Sequence, residues 1–152
     1  MAERTRGYAH RIDVNAPAEL VWRALVEQDL LGSWCGPGAR VNARAGGSFF
    51  VRINGDFELE REAHIDVFDA GRRLRLIYMP PRGLPDSDSV LIDDFILDVE
   101  QDAAVLRLMG SGFPADEDWD AYYQHVLAGW AQALARLKVL SEQLASGKRK
   151  LR

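Results

Sequence analysis

Residues 116–147 read DEDWDAYYQHVLAGWAQALARLKVLSEQLASG, and this stretch decides the fold. Trp119, Tyr123, Val126, Leu127, Trp130, Leu134 and Leu137 recur at spacings of three and four, the single apolar stripe of an amphipathic helix. Asp116, Glu117 and Asp118 crowd its start, where negative charge meets the positive end of the helix dipole. Gly147 is a natural stop, and Lys148, Arg149 and Lys150 follow where cations are favoured. The spacing predicts a helix from about Asp116 to Ala145, roughly 45 Å long at 1.5 Å per residue.

A stripe that long needs a broad apolar face to cover, and the preceding text supplies one. From Val41 to Phe113 the chain runs in short alternating segments between turn residues. Phe49, Val51 and Ile53 form one, and Asn54-Gly55 after them is a strong hairpin signal because both positions tolerate positive φ. Phe57 to Phe68 is a long strand candidate, followed by Leu74, Leu76 and Tyr78. Pro80 to Ser89 reads as a loop; Phe95, Leu97 and Val99, then Leu106 and Leu108, are the last alternations. Strands in succession without intervening helices favour an antiparallel meander. Upstream, Tyr8, His10, Ile12 and Val14 make a first strand. Asn15 or Ala16 caps a helix with Pro17 in its first turn, and Gly36-Pro37-Gly38 ends the helical segment. The expectation is one α+β domain over residues 1–152, with a core from 8 to 146 and charged tails.

The 152 residues are 47% apolar and carry a net charge of −4, which argues against a protein that grips nucleic-acid phosphates. The single cysteine, Cys35, excludes an internal disulfide and fits a reducing compartment. No apolar run approaches the ~18 residues of a membrane span, and the N-terminal segment has no apolar stretch for a signal peptide. A cytoplasmic protein is expected.

Several words sharpen this outline. They are Ala16-Pro17-Ala18-Glu19-Leu20-Val21-Trp22-Arg23-Ala24-Leu25, Leu31-Gly32-Ser33-Trp34-Cys35-Gly36-Pro37, Gly46-Gly47-Ser48-Phe49, Ser111-Gly112-Phe113-Pro114, and Gly129-Trp130 with Leu134 and Leu137. In this order they resemble the START-like helix-grip superfamily (SRPBCC proteins), and within it the group related to the activator of the heat-shock chaperone ATPase. The resemblance runs from Tyr8 to Leu144. It implies a curved antiparallel sheet of six or seven strands, two short helices and one long C-terminal helix. Many relatives have a second aromatic where this chain has Cys35, and a polar or larger residue where it has Gly110; both departures remove bulk.

The resemblance also implies a cavity between sheet and helix for a small hydrophobic or amphipathic ligand. Its expected lining from the sheet side is Trp34, Phe49, Val51, Phe95, Leu97, Leu106, Leu108 and Phe113. From the helix side it is Trp119, Tyr123, Val126, Leu127 and Trp130. The plainer account is that these side chains fill a core at ordinary density. The aromatics on the helix argue for more, because buried Tyr O–H and Trp N–H groups need partners and could orient a ligand.

Catalytic machinery is scarce. Asp93 shares a phase with Leu91, Phe95 and Leu97, so it either points inward as a binding or proton-transfer group or is wet at the rim. His10 falls in phase with the inward residues of the first strand, whereas His125 lies opposite the apolar stripe and reads as solvated, and His64 sits amid a charged strand. Cys35 has no adjacent histidine to activate it. No metal-ligand spacing and no phosphate loop is present, so no metal and no cofactor is expected. Three functions stay open: a non-catalytic binding module for a small apolar ligand, the leading reading; a polyketide cyclase-like enzyme using Asp93, His10 or Tyr123; and a chaperone-linked interaction domain with a protein partner or homodimer.

Overall fold

In the computed structural model, which describes residues 4–53 and 59–149, the chain begins with strand β1 (Thr5–Val14). Helices α1 (Ala18–Val26) and α2 (Gln28–Cys35) follow. Pro17 is the N-cap of α1 rather than a residue of its first turn, one position after Ala16 and two after Asn15, the expected caps. Glu27, extended at φ −86°, both ends α1 and begins α2, and Gly36 at φ 105° stops α2. The meander then runs through β2 (Arg40–Val41), β3 (Ser48–Ile53), β4 (Leu59–Asp69), β5 (Arg73–Tyr78), β6 (Ile92–Glu100) and β7 (Ala103–Pro114). The expected Asn54-Gly55 turn lies outside the described residues.

Every strand pairing is antiparallel, in the order β1-β7-β6-β5-β4-β3-β2. The first strand therefore joins the last, and the sheet has β1 and β2 as its edges. Alternation assigns the faces: Leu74, Leu76 and Tyr78 point inward, while Arg73 and Arg75 point outward to pair with Asp94 and Asp66. Val99, read as part of an inward alternation, is exposed.

A single 3-10 turn (Glu117–Trp119) leads into α3 (Asp120–Ala145), with Asp116 accepting a hydrogen bond from the Asp118 N–H. Among the described residues no helix is long and apolar enough to cross a membrane. The helix buries Tyr122, Val126, Trp130, Ala133, Leu134, Leu137, Leu140 and Leu144. The stripe is thus rotated from the expected one. Tyr122 faces the sheet, whereas Tyr123 and Leu127 sit half-buried on the flank toward β1. Polar side chains of α3 also fasten the β1 edge. Tyr123 Oη donates to the Gly7 carbonyl at 2.6 Å, Lys138 Nζ donates to the Asp13 carbonyl, and Glu142 accepts the Asn15 N–H at 2.8 Å.

Leu134 and Leu137 are 1% and 0% exposed, so truncation removes transfer energy and leaves a cavity. Leu134→Ala and Leu137→Ala are each expected to lower stability by about 2–5 kcal/mol in chemical denaturation. A loss under about 1 kcal/mol at either would place that leucine outside the packed core.

Candidate functional site

One transverse row of the sheet decides what lies beneath the helix. Tyr8 on β1 pairs with Gly110 on β7, and Gly110 pairs with Asp93 on β6. Gly110 has no side chain, so the Tyr8 ring lies across β7 in the space a Cβ would take, 2.2 Å from the ring's Cζ. The phenol thereby reaches the next strand but one and donates its O–H to Asp93 Oδ1. The bulk missing at Gly110 is filled from the neighbouring strand.

Asp93 is fully buried, so it points inward. Its second oxygen, Oδ2, accepts from Arg61 Nη1 at 3.2 Å and from Trp130 Nε1 at 3.0 Å. Arg61 comes from β4 and is 4% exposed. Its Nε donates to Tyr122 Oη at 3.0 Å, and its guanidinium lies 3.6 Å from the centroid of the Tyr78 ring. Four strands and α3 thus converge on one buried ion pair. One donor in the cluster stays unsatisfied: Arg61 Nη2 is buried without a partner in bonding geometry. The Tyr78 hydroxyl misses ideal geometry but lies near enough to Asp93 to feel both its charge and a hydrogen-bonding pull.

The electrostatics follow from burial. Tyr8 and Tyr78 are held well above the ordinary tyrosine pKa, first by desolvation and then by the Asp93 charge. Burial works against the Arg61 cation, but Tyr78, Tyr122 and Asp93 outweigh it, so Arg61 stays charged. His10 is pushed down by burial, partly offset by Asp93. Burial raises Cys35 and leaves it an inert thiol.

These shifts set a pH dependence. In the unfolded chain tyrosines ionise near pH 10.0 while Tyr8 and Tyr78 keep their protons in the fold, so stability falls as pH rises above 10. His10 binds a proton near pH 6.5 when unfolded but resists it when folded, so stability also falls as pH drops through 6.5. Urea midpoints measured across pH should form a plateau between these limits. A midpoint still rising above pH 10 would contradict the assignment of the two tyrosines.

Eleven of the thirteen expected lining residues are buried. Trp34, Phe49, Val51, Phe95, Leu106, Leu108, Phe113, Val126 and Trp130 are 0% exposed, which leaves no water-sized space against them. Leu97 and Trp119 are 4% exposed, while Tyr123 and Leu127 form the flank. Rings pack on rings: Phe95 meets Trp130 edge-on at 5.5 Å, and Trp34 lies 6.3 Å from Trp130. Trp34 Nε1 is spent on the Ala24 carbonyl at 2.7 Å. In this state the interior is filled.

One open space lies beside it. A cleft of about 770 Å³ runs between β4, the 79–84 loop and α3. Its walls are Phe50, Glu60, Arg61, Glu62, Met79, Leu84 and Tyr122, with Pro80, Pro81, Arg82 and Gly83 from the loop. Arg61 and Tyr122 thus belong both to the cleft and to the buried cluster. Of the cluster, sequence reasoning singled out Asp93 and Trp130 and missed the roles of Tyr8, Arg61, Tyr78 and Tyr122. A signal for Arg61 existed, because it shares its strand phase with the inward Ala63 and Ile65.

The sheet, the paired short helices and the long gripping helix define a START-like, helix-grip protein of the SRPBCC class. The chain belongs to the family described as Activator of Hsp90 ATPase homolog 1-like protein, whose model matches residues 15–142. Among curated proteins, none matches the sequence. Solved structures share the fold. A Mesorhizobium loti protein superposes with a TM-score of 0.75 at 20% identity, covering 96% of this chain and all of its own 100%. The Aha1 dimer of Colwellia psychrerythraea gives 0.70 at 21% identity, covering 95% and 99%. DynU16, a protein in the dynemicin biosynthetic locus, gives 0.66 at 19% identity, covering 93% of this chain and 48% of its own.

Proposed function

We propose that the protein binds a small hydrophobic or amphipathic molecule between the sheet and the N-terminal half of α3, without changing it chemically. The observation that carries this reading is the cleft of about 770 Å³ ending on buried Arg61 and Tyr122. Small-molecule sites commonly enclose roughly 300–1,000 Å³, apolar walls with a few placed polar groups. Phe50, Met79, Leu84 and Tyr122 supply such walls here. Beyond Arg61, the proposed inner wall is the aromatic interior, with Phe113, Trp119 and Trp130 nearest the helix start. The lone, buried Cys35 thiol suits a cytoplasmic setting.

Nile red, a neutral apolar dye, tests the reading. It is expected to bind the native protein, quench tryptophan fluorescence and do so with little dependence on salt. Leu84→Glu or Met79→Glu should weaken binding by about tenfold or more, the worth of one apolar contact replaced by a charge. Absence of dye binding, or binding indifferent to both substitutions, would overturn the proposal.

A specific observation favours a second reading, a polyketide cyclase-like enzyme. Asp93 and the Tyr8 hydroxyl are a bonded carboxylate and acid held out of water beside a cation, a pattern suited to moving protons. The neighbour from a biosynthetic locus is in keeping with it. A third reading, a protein partner or homodimer, draws on the family's description and on the dimeric neighbour. Exposed Met79, Val90 and Met109 would serve it.

A further inference from the structure

The polar cluster beneath α3 exceeds what the fold needs. A buried ion pair can often be replaced by apolar side chains of the same volume without loss of stability. This chain instead surrounds Arg61 and Asp93 with the O–H and N–H groups of Tyr8, Tyr122 and Trp130. Tyr8 differs from the others in how it arrives. It comes from an edge strand, past a register shift between Arg6 and Tyr8, and such irregularities re-aim a side chain. Two facing glycines clear its way: a Cβ on Gly7 would sit 2.2 Å from the Gly110 carbonyl oxygen, and one on Gly110 would strike the Tyr8 ring.

The seat that receives this ring belongs to other elements. Asp93 comes from β6, Gly110 from β7, Arg61 from β4 and Trp130 from α3. With Tyr8 in place the seat still has a donor to spare, because Arg61 Nη2 is buried with no acceptor in bonding geometry. A buried donor left without an acceptor is uncommon in a folded core and calls for an explanation.

We propose that this seat is a binding subsite for a phenolic or enolic hydroxyl, and that Tyr8 occupies it as an internal stand-in for the ligand. The inference rests on the small-molecule reading above and names the chemistry of the molecule. The ligand's O–H donates to Asp93 Oδ1 as the Tyr8 phenol does. A neighbouring carbonyl oxygen on the same molecule takes the idle Nη2 donor of Arg61. Tyr8 is then a specificity-determining residue, since its ring must leave before a ligand can enter.

The test uses the full chain carrying Tyr8→Ala, titrated with phenol, toluene and fluorobenzene and followed by calorimetry. All three match the lost hydroxyphenyl group in size, but only phenol donates a hydrogen bond. The variant is expected to bind phenol at least about tenfold tighter than either analogue, the ratio one hydrogen bond to a charged acceptor confers. Equal affinities, or no binding of phenol by the folded variant, would overturn the proposal. Should Tyr8→Ala not fold, Tyr8→Ser takes its place in the same comparison. The wild-type protein supplies an independent arm: labelled with 3-fluorotyrosine, it should show the Tyr8 fluorine signal moving to its solvent position as 2-naphthol saturates. A Tyr8 signal unmoved at saturation counts against the stand-in. Nile red binding that persists while the phenol preference fails sinks this inference alone; loss of both sinks the small-molecule reading.

Discussion

Arg61→Leu is expected to lower stability by about 3–5 kcal/mol, among the largest losses of any single substitution in this chain. The reason is the partner left behind. Asp93 is 0% exposed, so without the guanidinium its carboxylate keeps neutral donors such as Tyr8 and Trp130 but no compensating charge. Tyr122 loses its donor at the same time, and the Tyr78 ring loses the cation stacked on it. Removing the second charge should reverse much of the damage. The double variant Arg61→Leu/Asp93→Leu is therefore expected to be more stable than Arg61→Leu alone. Urea denaturation of the two single variants and the double completes the cycle. A loss at Arg61→Leu under about 1 kcal/mol, or a double variant worse than the sum, would mean that the pair is solvated.

Gly110→Ala is expected to be nearly as damaging, although it adds one methyl group. That methyl would stand 2.2 Å from Cζ of Tyr8 and 2.3 Å from its Cε1, far inside contact distance. The backbone of β7 is held by β1 and β6 on either side, so the ring has to give way. Its departure forfeits aromatic packing on Phe113 and the hydrogen bond to Asp93. The expected loss is on the order of 3–5 kcal/mol, comparable to truncating a buried aromatic. The two positions should be coupled: in a Tyr8→Ala background, Gly110→Ala should cost far less. Additive losses would show that the ring never occupied the space over Gly110.

The order of elements was legible because each is written locally. Period-two runs, the break at Gly36-Pro37-Gly38 and one long stripe need no knowledge of distant residues. The site was less legible because its contacts span the chain. Phase placed Asp93 inward as one of two options, but its cation is 32 residues away and its phenol 85. Which inward residue of β4 meets Asp93 depends on pairing across β5, and on a register shift between Ile65 and Val67 that no turn residue announces. The choice between Tyr122 and Tyr123 failed for another reason. Adjacent helix positions differ by about 100° in direction, and with aromatics at both, the stripe alone does not say which faces the sheet. At Gly110 the sequence shows missing bulk, but not that a ring one strand over would fill it.

The clamps from α3 to β1 bear on how this molecule behaves among its own copies. An open strand edge is a template on which another chain can build, and long edges are where aggregation and strand exchange begin. Here the carbonyls of Gly7 and Asp13 are already taken by Tyr123 and Lys138, and the Asn15 N–H by Glu142. A second chain adding a strand at β1 would have to strip those bonds and push aside the helix that closes the core. The gripping helix therefore doubles as a guard rail, and self-association by sheet extension is steered toward the opposite edge at β2, where the strand is two residues long.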